Sequence, residues 1–192
     1  MKVALFYIFL FTTTMGWSQN LKYDILYNGK DVGNLDAVIT RKGNTLNLDL
    51  VSKVVAKVII TVEVKYTMKV KYVNDELYSS TVITYLNGNV RSSMQVVKKN
   101  GYYLVNEDGD LRKFYGKITI SDGILCIVEP KYVDAIFSEF DAINKPIKKT
   151  ANGRYTMSHP RNSNHTDYIY KDGVLQQSTV HYTLATFVIR KK

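Results

Sequence analysis

From Val58 to Tyr72 the chain alternates without a break. Val58, Ile60, Val62, Val64, Tyr66, Met68, Val70 and Tyr72 hold the even positions, and Thr61, Glu63, Lys65, Thr67, Lys69 and Lys71 hold odd ones. Period two sends successive side chains to opposite faces of a strand, so the pattern predicts one dry face and one wet, lysine-bearing face. Fifteen residues at about 3.3 Å each would reach roughly 50 Å, and a strand of that length must bend with the twist of its sheet. The expected architecture is all-β: an antiparallel hairpin meander forming a strongly curved sheet or open barrel.

The turn residues support the meander. Seven of the eleven glycines follow Asn or Asp: Asn28-Gly29, Asn87-Gly88, Asn100-Gly101, Asp108-Gly109, Asp122-Gly123, Asn152-Gly153 and Asp172-Gly173. These pairs suit type I′ hairpin turns because both residues tolerate φ > 0. Arg41-Lys42-Gly43-Asn44 and Asn74-Asp75-Glu76 read as further turns. Short β-prone runs at regular spacing fit hairpins and not βαβ units. Near the end, Val180, Tyr182 and Leu184 share one parity while Phe187 and Ile189 take the other, which predicts a bulge near Ala185-Thr186. One segment departs from period two. After Pro130, the residues Tyr132, Val133, Ile136, Phe137 and Phe140 form a helical stripe, and Pro130 suits a first helical turn. One short helix is expected near 130–140, laid across the sheet or plugging the barrel.

The N-terminus has a different character. Lys2 precedes an apolar run from Val3 to Phe11, and Gly16 and Ser18 offer small residues at the −3 and −1 positions of a cleavage site. That layout predicts a signal peptide over residues 1–18, cut after Ser18 or Gln19, with residues 19–192 as a single β domain. The chain is then exported, to the periplasm or the medium. Cys126 is the only cysteine and sits among Ile124, Leu125, Ile127 and Val128, so it reads as a small core residue.

Several stretches resemble one family. Tyr23-Asp24-Ile25 with Asn28-Gly29-Lys30 and Gly33 come first, then Glu76-Leu77-Tyr78-Ser79-Ser80 and Leu86-Asn87-Gly88. Leu125-Cys126-Ile127-Val128-Glu129-Pro130 and Phe137-Ser138-Glu139 follow, and Tyr155, Pro160 and Tyr168-Ile169-Tyr170-Lys171-Asp172-Gly173 close the series. In order and spacing these resemble domain of unknown function 6134, an uncharacterised family of exported bacterial proteins. The resemblance implies a small secreted or periplasmic β protein of a Gram-negative bacterium and brings no established activity.

The residues carry no recognised chemistry. His159 and His165 flank the polar loop Pro160-Arg161-Asn162-Ser163-Asn164, and His181 is the third histidine. Their spacing matches no familiar metal-ligand pattern. Glu129, Asp134, Glu139 and Asp141 form an acidic patch around the expected helix; paired carboxylates run glycoside hydrolysis only when they face each other. The chain contains no G-x-S-x-G elbow, H-E-x-x-H motif, P-loop or G-x-G-x-x-G fingerprint. No catalytic residue, cofactor or metal is assigned. The net charge is +9, with Lys98-Lys99, Lys148-Lys149 and Arg190-Lys191-Lys192 as clusters. In an exported chain these meet anionic lipid head groups or acidic glycans rather than nucleic acid, and they discourage edge-to-edge pairing of strands. The best reading is a non-catalytic binding or envelope-associated module for an apolar or amphipathic ligand, such as a lipid, or for an envelope protein. Its ligand face would comprise Tyr66, Met68, Tyr72 and Phe137. The alternatives are a hydrolase of unrecognised type, using the acids at 129–141 or the His159 loop, and an integral outer-membrane barrel.

Overall fold

The computed structural model describes residues 16–57 and 61–192. The chain runs β1 (Trp17–Tyr27), β2 (Lys30–Lys42), β3 (Thr45–Lys57), β4 (Thr61–Val73), β5 (Glu76–Leu86), β6 (Asn89–Lys98), β7 (Tyr103–Glu107) and β8 (Asp110–Phe114). A 3₁₀ turn at Asp122–Cys126 leads to β9 (Ala135–Ser138), β10 (Ile143–Ala151), β11 (Arg154–Ser158), β12 (His165–Lys171), β13 (Val174–His181) and β14 (Thr186–Lys191). All fourteen strands belong to one antiparallel sheet, in the order β8-β7-β6-β5-β4-β3-β2-β1-β14-β13-β12-β11-β10-β9. It is a meander whose first and last strands pair in the middle, Tyr23 opposite Lys191 and Tyr27 opposite Phe187. The sheet curls without closing, because its edges β8 and β9 do not pair with each other.

Turn chemistry sets this layout. Asn28-Gly29, Asn87-Gly88, Asp108-Gly109 and Asp172-Gly173 carry positive φ at both positions, as a type I′ turn requires. Asn74 and Asp75 do the same without a glycine. One of the expected turns is something else: Asp122-Gly123 opens the buried 3₁₀ turn.

The curled sheet has two unlike ends. The 28–29, 87–88 and 108–109 turns and the 139–142, 159–164 and 182–185 connections all fall at one end, here the upper end. Inward-facing residues change character along each strand. On β4, Tyr72, Val70 and Met68 are buried while Tyr66, Val64 and Val62 are only half-buried. On β3, Leu46, Leu48 and Leu50 are buried, and Ser52 and Val54 are not. On β12 and β13, Tyr170, Tyr168 and Ser178 are buried, whereas Thr166 and Val180 are half-buried. The lower half is therefore a packed core. The 3₁₀ turn and β9 fill it, with Ile124, Leu125, Ile136 and Phe137 against Leu48, Met68 and Val70 in one buried cluster. The upper half is lined but not filled.

Several expectations need correction. The helix expected near 130–140 does not form. Ala135–Ser138 is strand β9, paired with β10, and Ile136, Phe137 and Ser138 are all buried. A strand covered on both faces presents consecutive apolar residues, and periodicity cannot separate that from a helical stripe. Tyr132 is fully exposed with φ +70°, and Phe140 is about half exposed, so the remaining members of the stripe pack on no common surface. The expected long strand is described from Thr61, as β4 (Thr61–Val73). Lys57 of β3 pairs with Thr61, and residues 58–60 between them lie outside the described residues. No bulge occurs at Ala185-Thr186; Tyr182 and Ala185 instead bond to each other across a tight turn between β13 and β14. Of the expected leader, residues 1–15 lie outside the described residues, and Trp17 and Ser18 begin β1. Cys126 is buried with a free thiol, as its apolar neighbours indicate, and burial raises that thiol to about 12.

Candidate functional site

The open upper half holds a cavity of about 610 Å³. Leu50, Val54, Val64, Tyr66 and Met68 come to it from β3 and β4, and Val180, Phe187 and Ile189 from β13 and β14. Each reaches inward because it sits at the inward parity of its strand. Phe140 leans over from the β9–β10 connection, its ring centroid 6.2 Å from that of Tyr66. The lip is polar, with His159, Asn162, Asn164, His165, His181 and Tyr182.

The floor is polar as well, and most of it was not legible in the sequence. Ser121 and Gly123, at the 3₁₀ turn, hold the fully buried Glu139. The Ser121 hydroxyl donates to Glu139 Oε1, and the Gly123 amide lies 3.2 Å from Oε2. Tyr72 in turn donates to Ser121 at 2.7 Å. Asp122 faces the cavity and accepts a bond from Tyr168 at 3.0 Å. Asp141 is paired with Lys145 and accepts from Ser138 at 3.2 Å, while Arg112 donates to the carbonyls of Asp141 and Ala142 at 3.0 and 3.1 Å. Burial, and then the neighbouring Asp122, raise the Glu139 carboxyl to about 7. Burial also raises Asp122, against the opposing pull of Lys145 and the Tyr168 bond. Two hydroxyls on the walls are buried without a hydrogen-bond partner: Tyr23 Oη and Thr84 Oγ1.

The residues singled out by sequence divide. Tyr66 and Met68 line the cavity. Tyr72 lies below it, tied to Ser121, and Phe137 is packed edge-on to Phe114 with centroids 5.0 Å apart. Among the acids, Asp141 joins Asp122 in lining the cavity and Glu139 is buried beneath its floor, while Glu129 is bound to Tyr155 at 2.9 Å and to Lys131 at 3.2 Å; neither Glu139 nor Glu129 lines the cavity. His159 is on the lip, and His165 and His181 are brought together across β12 and β13. Asp122 was hidden as half of a turn signal. The apolar run from Ile124 to Val128 directly after it is the one sign that this Asp-Gly pair opens no solvent-exposed hairpin. The sequence carries no sign that the hydroxyls of Tyr23 and Thr84 are buried without a partner.

A model of a domain of unknown function, DUF6134, matches residues 23–192. The chain belongs to this family. The match spans every strand from within β1 to the C-terminus and includes the cavity walls and floor of this DUF6134 chain. No curated protein matches it. Its fold is similar to that in the crystal structure of a beta-barrel-like protein of domain of unknown function DUF1849 from Brucella abortus. The TM-score is 0.62, at 10% identity over 90% of this chain and 94% of that one. At that identity the likeness is one of fold.

Proposed function

We propose that this DUF6134 chain is an exported, non-catalytic binding module that takes an amphipathic, lipid-like molecule into the open half of its sheet. The cavity carries the reading. Its volume falls within the roughly 300–1,000 Å³ of ordinary ligand sites, and its walls are mainly aliphatic and aromatic with a few polar groups. Polar groups that can meet a head group stand at the lip, among them His159, Asn162, Asn164 and Tyr182. The apolar body lies along Val54, Val64 and Val180, and the head group emerges at the polar lip. The carboxyls at the floor are already engaged by Ser121, Tyr168 and Lys145, which supports a structural role for them over a hydrolytic one. A membrane-spanning barrel must close so that no backbone group is left unpaired in lipid. The lack of closure between β8 and β9 and the outward Lys69 weigh against that alternative. Export rests on the leader-like composition of residues 1–18, and the mature protein is expected to start at Gln19 or Asn20 on N-terminal sequencing.

The test is titration with a fluorescent long-chain fatty acid. Saturable one-to-one binding is expected. Val64→Trp, which fills the cavity, weakens it at least tenfold, and Thr67→Lys on the opposite parity leaves it unchanged. Absence of saturable binding, together with native mass spectra that carry no adduct after purification from the source cells, overturns the reading.

A further inference from the structure

The outer wall of β12 and β13 holds a second arrangement, at the lip of the cavity. His165 and His181 are direct cross-strand partners, and Asp167 follows His165 by two residues on the same face. The imidazoles stack with centroids 4.3 Å apart and planes 14° from parallel. Each of the three residues offers one ligand atom, and all three atoms lie within 4.8 Å of one another. We propose that His165, Asp167 and His181 form a site for a divalent transition-metal ion, of the zinc class, beside the cavity mouth.

The surroundings of the three side chains support this. Metal-binding imidazoles characteristically donate their second ring N–H to a nearby oxygen, which fixes tautomer and orientation. His165 Nδ1 lies 3.2 Å from the Ser163 carbonyl, and His181 Nδ1 lies 3.4 Å from Thr186 Oγ1. That leaves Nε2 of each ring for the ion. Asp167 is held in the same way: Thr156 donates to its Oδ1 at 2.6 Å, and Oδ2 points to His181 Nε2 at 3.2 Å. Two imidazoles and a carboxylate are a donor set suited to zinc and its late first-row neighbours. Zn–N and Zn–O bonds of about 2.0–2.2 Å place tetrahedral ligand atoms about 3.3 Å apart, so a splay of the two rings closes the set. All three residues are partly exposed, which gives the ion a way in and leaves its remaining positions to water or to a ligand. Sequence spacing does not reveal the site because His165 and His181 are sixteen residues apart and meet only through strand register.

The proposal does not depend on the cavity reading and is tested without a cavity ligand. The full chain, free of any tag and stripped with a chelator, is titrated with Zn²⁺ alone by calorimetry. One ion per chain is expected. His165→Ala and His181→Ala each weaken binding at least tenfold, Asp167→Asn weakens it while keeping a group that accepts from Thr156, and His159→Ala has no effect. Zinc raises the melting temperature of the unaltered chain and not that of the His165→Ala, His181→Ala double variant. Should a variant fail to fold, proton NMR of the unaltered chain decides. Zinc is expected to shift the ring resonances of His165 and His181 and to leave those of His159 in place. Zinc affinity in the double variant equal to that of the unaltered chain, loss of affinity in His159→Ala as large as in His165→Ala, or ring resonances indifferent to zinc overturns the proposal.

Discussion

Glu139 is the least expected residue of the molecule: a carboxyl with no exposure, held at the foot of a cavity by one hydroxyl and one amide. Its folded value of about 7 lies above the ordinary 4.5. Its contribution to stability is therefore fully present below pH about 4.5 and is lost as pH rises through about 7. Asp122 is shifted in the same direction and adds to the trend. Glu139→Gln removes the larger part. Relative to the unaltered chain, its melting temperature is expected to rise between pH 5 and pH 8, and a constant difference across that range would show Glu139 to be ionised at all of them. Gly123 is tied to the same spot by space. A Cβ built there would sit 2.7 Å from Met68 Sδ, 3.0 Å from Glu139 Oε1 and 3.1 Å from Leu48 Cδ2. Gly123→Ala is expected to cost about 1–3 kcal/mol in a urea melt, as overpacking of a filled interior generally does. The sequence shows Glu139 as one of four acids around an expected helix and Gly123 as half of a turn, but not that both are buried, because burial by a segment distant in the chain leaves no local pattern.

Period-two alternation made the strands themselves readable, and the Asn-Gly and Asp-Gly pairs marked most of the hairpins. Elements that the alternation failed to describe share a cause: their surroundings come from elsewhere in the chain. β9 is covered on both faces, so its Ile136-Phe137 pair breaks the alternation and imitates a helix. The even face of β4 was legible as a dry face, but its division into a packed lower part and an open upper part was not, since that depends on where the 3₁₀ turn lodges. The division has a measurable consequence. Val70 is 3% exposed within the core cluster, whereas Val64 faces the cavity. Val70→Ala is expected to cost about 2 kcal/mol and Val64→Ala less than about 1 kcal/mol, because only the first leaves a void among atoms that were in contact. Equal losses in denaturant would mean that the upper half is as tightly packed as the lower.

At the scale of the whole molecule, a fourteen-stranded sheet that curls without closing has a seam where its two edge strands do not pair with each other, and exposed edges invite pairing with other chains. The seam is managed by a strap. After β8 the chain crosses from one edge to the other: the Leu77 amide donates to the Ile118 carbonyl at 2.9 Å, and the Phe137 amide donates to the Ile120 carbonyl at 3.3 Å. The strap thus stitches β5 to β9. Phe114 meets Phe137 across the gap, and Arg112 of β8 reaches the carbonyls of Asp141 and Ala142 just beyond β9. Ala142 holds φ +47° there, so its carbonyl is presented by a backbone conformation that an alanine adopts only under constraint. Removing the guanidinium leaves both acceptors without their donor on the seam while touching no contact of β1 to β4. Arg112 is about two-fifths exposed, and the loss in global stability is accordingly expected to stay below about 1.5 kcal/mol. Local opening is a different quantity from global unfolding, and strands at an edge open at lower free energy than those in the middle of a sheet. Hydrogen exchange of Arg112→Ala should therefore quicken in residues 103–114 and 135–143 and remain unchanged in β1 and β2. Uniform acceleration throughout the sheet would mean that the seam has no separate opening and that the curled sheet unfolds only as one unit.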